Sequence, residues 1–104
     1  MIRVRTVKEQ GIYKSFSIDG HAGYAQTGED IICAAVSVLV INTINSIEQF
    51  TDDAFTCDCR DGMIKGWEFT SDVSKETALL MDALMLGLSG VRQSYGKRYL
   101  EIDG

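Results

Sequence analysis

The chain has 104 residues, 45% hydrophobic and 24% charged, enough for one globular domain and too few for a second. Fifteen acidic against ten basic residues give a net charge of −5 with no Lys/Arg cluster, which argues against direct nucleic-acid binding and makes a basic partner easier to accept. A domain this small buries roughly two-thirds of its unfolded surface, so it can fold unaided, while a partner subunit would add useful apolar burial, which makes dimerisation plausible.

The first ten residues set Ile2, Val4 and Thr6 against Arg3, Arg5 and Val7, the period-two pattern of a half-buried strand. A secretory signal would begin with a charged tip and an apolar stretch, so a cytoplasmic protein is expected. Gln10-Gly11 reads as a turn. Ile12, Phe16 and Ile18 then fall on one face and Tyr13, Ser15 and Ser17 on the other, giving an antiparallel hairpin that ends at Asp19-Gly20. Gly20 to Gly28 holds three glycines, the only histidine and no hydrophobic period, and reads as a loop, functional or mobile at that length.

Glu29 to Ser46 is apolar at nearly every position through Ile44. Its length and the Ala34-Ala35 pair favour a helix buried on most sides, against the β-branched content of Ile31, Ile32, Val36, Val38, Val40 and Ile41. Thr27, three residues before Asp30, is a loose capping box, so the helix should start between Gly28 and Asp30 and put Cys33 near its N-terminal turn. The longest apolar run, Ile31 to Ile41, is interrupted by Ser37 and falls short of the ~20 residues of a membrane span, so no membrane partner is expected.

Ala54 to Arg60 alternates Phe55, Cys57 and Cys59 against Thr56 and Asp58; Met63 to Phe69 alternates Met63, Lys65, Trp67 and Phe69 against Ile64, Gly66 and Glu68. A three-residue loop, Arg60-Asp61-Gly62, would put Phe55 opposite Trp67 and unite the two apolar faces, whereas a two-residue turn would separate them, so the longer loop is expected. Ser74 to Tyr95 carries Leu80, Leu84, Leu88, Val91 and Tyr95 on one helical stripe with Gly96 as a stop, and Lys97 to Asp103 closes as a strand with Leu100 and Ile102 on one side. The order β-β-α-β-β-α-β predicts an α+β, two-layer domain over residues 1–104, with a mainly antiparallel sheet and two helices.

A cysteine is nucleophilic only as thiolate, a form favoured at a helix N-terminus or beside an imidazole. Cys33 has access to both: it lies early in the helix, and His21 sits at the far end of a loop that must return to the helix start. Against this, a cysteine in an apolar helix is most often a small core residue, and a loop histidine is as often a turn cap or a solvated side chain. Asp30 reads first as a helix cap and second as a group that orients an imidazole. Ser37, one turn after Cys33, reads first as a serine bonding back to the helix. Cys57 and Cys59 share a strand face and could ligate a metal, yet core packing is the favoured reading because soft ligands are too few, so no metal is expected. GHAGYAQTG lacks the Lys-Ser/Thr of a phosphate loop, and no nucleotide or other cofactor is called for.

The segment DGHAGYAQTGEDIICAAVSVLVINTINSIE resembles the signature of the ribosomal-processing cysteine proteases of Firmicutes and related bacteria: Gly-His-Ala, a short glycine-containing loop, Asp, two apolar residues, Cys-Ala-Ala, one apolar residue and Ser. Here these are Gly20, His21, Ala22, Asp30, Cys33, Ala34, Ala35 and Ser37, and LGLSGVRQSYGKRYLEI is similar to the family's last helix and strand. The resemblance implies a homodimeric endopeptidase that removes a short N-terminal extension from large-subunit ribosomal protein twenty-seven. Carried across, Cys33 is the nucleophile, His21 its base, the helix N-terminus an aid to the oxyanion, Asp30 and Ser37 supporting groups, and Gly20, Ala22, Gly23 and Gly28 part of the substrate loop. Two other readings compete, a non-catalytic ribosome-associated binding domain and a thiol redox sensor with Cys57 or Cys59 as resolving partner.

Overall fold

The structure, a computed structural model, describes residues 1–20, 27–60, 63–95 and 97–103, with residues 27–30 described by their backbone alone. The elements are β1 (Ile2–Glu9), β2 (Ile12–Asp19), α1 (Thr27–Phe50), β3 (Phe55–Arg60), β4 (Met63–Phe69), α2 (Lys75–Tyr95) and β5 (Leu100–Asp103), the expected order and class. They form one five-stranded sheet in the order β3-β4-β2-β1-β5. All neighbours are antiparallel except β5, which runs parallel to β1 from Ile2↔Leu100 to Arg5↔Asp103.

β1 buries Ile2, Val4 and Thr6 as its alternation requires. Gln10 and Gly11 take φ of +52° and +80°, the pair of positive angles that a two-residue hairpin turn needs to match strand twist. β2 departs from strict alternation. Val7 pairs with Ser15 and Lys8 with Tyr13, which leaves Lys14 as the extra residue of a bulge. The bulge turns Tyr13 inward and Ile12 out to solvent, the reverse of the expected faces. The Tyr13 hydroxyl donates to Asp82 Oδ1 at 2.5 Å, tying β2 to α2, and burial together with that carboxylate pushes its pKa up to about 12.

The second hairpin also differs from expectation. Arg60 pairs with Met63, so two residues join the strands, and Phe55 faces Phe69 while Cys57 faces Trp67. A bulge does what the longer loop would have done. Cys59 pairs with Ile64 and Asp58 with Gly66, leaving Lys65 as the extra residue and bringing Phe55, Ile64, Trp67 and Phe69 onto the helix-facing side. Cys57 and Cys59 are exposed and not core residues, because β3 is an edge strand.

Both helices cover one face of the sheet. α1 begins at Thr27, a residue before the expected start, and runs four residues past Ser46, burying Ile32, Val36, Val40, Ile44 and Ile47. Ile31–Phe50 is long and apolar enough to cross a membrane by length and composition, but its buried stripe belongs to the core shared with the sheet and α2. α2 buries Thr77, Met81, Leu84 and Leu88, with Met81 in place of the expected Leu80 and Tyr95 exposed. Phe16 and Trp67 stack at 4.5 Å between ring centroids in the centre of the sheet. Arg3, Arg5, Ser17 and Glu68 on the opposite face are exposed, so the sheet is two-sided: one face core, one face water.

Candidate active site

A cleft of about 340 Å³ opens where the first half of α1 passes the end of β2 and the start of β4. Its walls are Ile2, Ile18, Asp19 and Gly20 on one side, Cys33, Val36, Ser37, Val40 and Ile41 along α1, and Met63, Ile64 and Lys65 from β4. Most of these described side chains are aliphatic, which suits an apolar ligand chain. A second depression of about 430 Å³, lined by Arg3, Arg5, Asp19, Glu101 and Asp103 among others, holds no thiol.

Of the candidate residues, Cys33, Ser37 and Gly20 line the same cleft. Cys33 is half-buried and Ser37 exposed one turn further along α1. Cys33 is the seventh residue of α1, so it stands in the second turn rather than in the first, where the helix's free amides and most of its positive end lie. Gly20 has φ of +89°, and a Cβ there would stand 2.1 Å from the Met1 carbonyl oxygen, so only glycine lets the chain leave β2 beside β1 at this point.

Gly28 and Asp30 lie in the first turn of α1 by backbone. His21, Ala22 and Gly23, and with them the expected mobility of the loop, lie outside the described residues. Cys57 and Cys59 line no part of the cleft. Burial pushes the Cys57 thiol above its ordinary value, and the acidic neighbours Cys59, Asp58 and Glu48 push the same way. Among the described residues no group of three or more His, Cys, Asp and Glu is placed to hold a metal ion. Sequence reasoning missed Met63, Ile64 and Lys65 as cleft residues. The signal was present in Gly66, since a glycine inside an alternating strand marks a bulge or a close backbone approach.

A half-buried thiol in an apolar cleft is an arrangement suited to covalent chemistry by cysteine, and comparison with known proteins gives the class: this is a cysteine protease. The family described as cysteine protease Prp matches residues 1–100, and the chain belongs to that family, whose role is ribosomal processing. The ribosomal processing cysteine protease Prp of Bacillus subtilis is 27% identical over 97 residues, covering 88% of this chain and 86% of that protein. Its Staphylococcus aureus counterpart is 24% identical over 96 residues, covering 88% of each. The crystal structure of the S. aureus essential ribosomal processing protease Prp with a substrate peptide shares the fold at a TM-score of 0.87, 21% identity and full coverage of both chains.

Proposed function

We propose that Cys33 is the nucleophile and His21 the general base of an endopeptidase that removes the N-terminal extension of large-subunit ribosomal protein twenty-seven in the cytoplasm. The observation that carries this reading is that Cys33 is the only described cysteine lining the apolar cleft. His21 takes the thiol proton, and the thiolate sulfur attacks the scissile carbonyl carbon to form a tetrahedral oxyanion. The imidazolium then protonates the leaving amine, and the acyl group remains on sulfur as a thioester. Water, deprotonated by His21, hydrolyses the thioester and returns the thiol. Because Cys33 sits in the second turn, the imidazole rather than the helix end carries thiolate formation. The first-turn amides of α1, near Asp30, are the candidate oxyanion donors.

Cys33→Ala should abolish cleavage of a peptide spanning that extension, while costing about 1 kcal/mol or less in stability. His21→Ala should lower kcat by roughly 10²–10⁴-fold and slow alkylation of Cys33. Equal activity loss in Cys33→Ala, Cys57→Ala and Cys59→Ala proteins that fold normally would remove Cys33 from the role. The redox alternative needs a resolving thiol, and Cys57 and Cys59 are exposed on an edge strand outside the cleft.

The homodimer belongs to the same proposal. Ile31, Ala34, Val38 and Ile41 recur every three or four residues on α1 and are all exposed, an apolar stripe that a second copy would cover.

A further inference from the structure

Lys65 is the one residue of β4 that the bulge leaves without a partner on β3, since Cys59 pairs with Ile64 and Asp58 with Gly66. The pairing of β4 with β2 ends at Gly66, which faces Ser17, so Lys65 is outside both ladders. The bulge is fixed by Gly66: φ is +155°, and a Cβ would lie 2.2 Å from the Phe16 carbonyl oxygen. Released in this way, Lys65 is half-buried in the wall of the cleft that holds Cys33. Among the described residues no ion pair joins its ammonium to a carboxylate, that of Asp19 in the cleft wall included. With respect to the described residues, this cation, partly withdrawn from water beside aliphatic walls, has no counter-charge.

We propose that Lys65 is a specificity-determining residue that takes a carboxylate side chain, Asp or Glu, from the peptide bound in the cleft. This rests on the proteolytic reading above. It also separates two electrostatic demands that net charge alone merges: an acidic surface attracts a basic protein at long range, while the segment that enters the cleft meets a positive charge.

Peptides spanning the extension of ribosomal protein twenty-seven, carrying Glu, Gln or Lys at each position in turn, test this. Binding is read by fluorescence anisotropy on Cys33→Ala protein, and cleavage on protein with Cys33 intact. At one position Glu should be preferred over Gln by about tenfold in both Kd and kcat/KM, a preference that shrinks as salt is raised. Lys65→Met should level Glu and Gln, Lys65→Glu should turn the preference to Lys, and Lys65→Arg, which keeps the charge, should retain it. No preference at any position, or one unchanged in Lys65→Met, overturns the proposal. A Lys65-dependent binding preference without cleavage would uphold the role of Lys65 and overturn the substrate assignment instead.

Discussion

Gly66 decides more than its size suggests. Its near approach to the Phe16 carbonyl leaves no space for a methyl group, and the obstacle is backbone, which cannot rotate away. Gly66→Ala should therefore cost about 3 kcal/mol in urea denaturation, as strain at a special backbone angle does, and should weaken any Glu preference that depends on Lys65. At this scale the sequence was partly legible. Cys33 and Ser37 were singled out by their spacing and meet in one cleft, and Gly20 was placed at the strand end where it stands. Lys65 was not, because strict alternation assigns it to a strand face and hides that the bulge has lifted it out of the ladder. Cys57 and Cys59 were read as core because alternation reports which face a side chain takes and says nothing about whether anything covers that face.

The start of α2 shows how one element is anchored to another. Ser74 precedes the helix, and its Oγ accepts from the Thr77 N–H at 3.2 Å, the geometry of an N-cap. Asp53, in the connection after α1, accepts from the Ser74 N–H and from its hydroxyl, both at 2.8 Å. Burial alone would raise the Asp53 carboxyl; the nearby Thr77 hydroxyl and the two bonds from Ser74 outweigh it and hold the pKa below its ordinary 3.8. Since the folded value is depressed, this stabilisation is present above the unfolded pKa and is lost as pH falls through the folded one. Asp53→Asn should lower the unfolding midpoint at neutral pH, and its difference from the unmodified chain should narrow below pH 3.8. Ser74→Ala should cost about 1 kcal/mol, measured the same way. Element type and order were readable because apolar period distinguishes helix from strand. Register was not: in β2 and β4 one inserted residue reverses every side chain beyond it, and no local signal but Gly66 marked either insertion.

For the whole molecule, a sheet covered on one face by two helices followed from the pattern of elements, whereas the parallel β5 did not, since nothing local tells a closing strand which edge to join. The exposed stripe on α1 gives the assembly prediction. The chain should sediment as a dimer at micromolar concentration, and Val38→Glu, which places a charge on a residue 66% exposed, should yield a folded monomer. The pairing of Ile2 with Leu100, reinforced by the Ile2 N–H donating to the Tyr99 carbonyl at 2.9 Å, joins the first strand of the fold to the last. It also has a meaning in time. Chains are made from the N-terminus, and domains fold as units as they emerge. β1 and β2 are available early, yet Ile2, a wall of the cleft, finds its lateral partner only after the last strand has left the ribosome. The Ile2 wall of the cleft is therefore among the last parts of the described fold to be completed, since it waits for β5 while the helices and the other strands are already made.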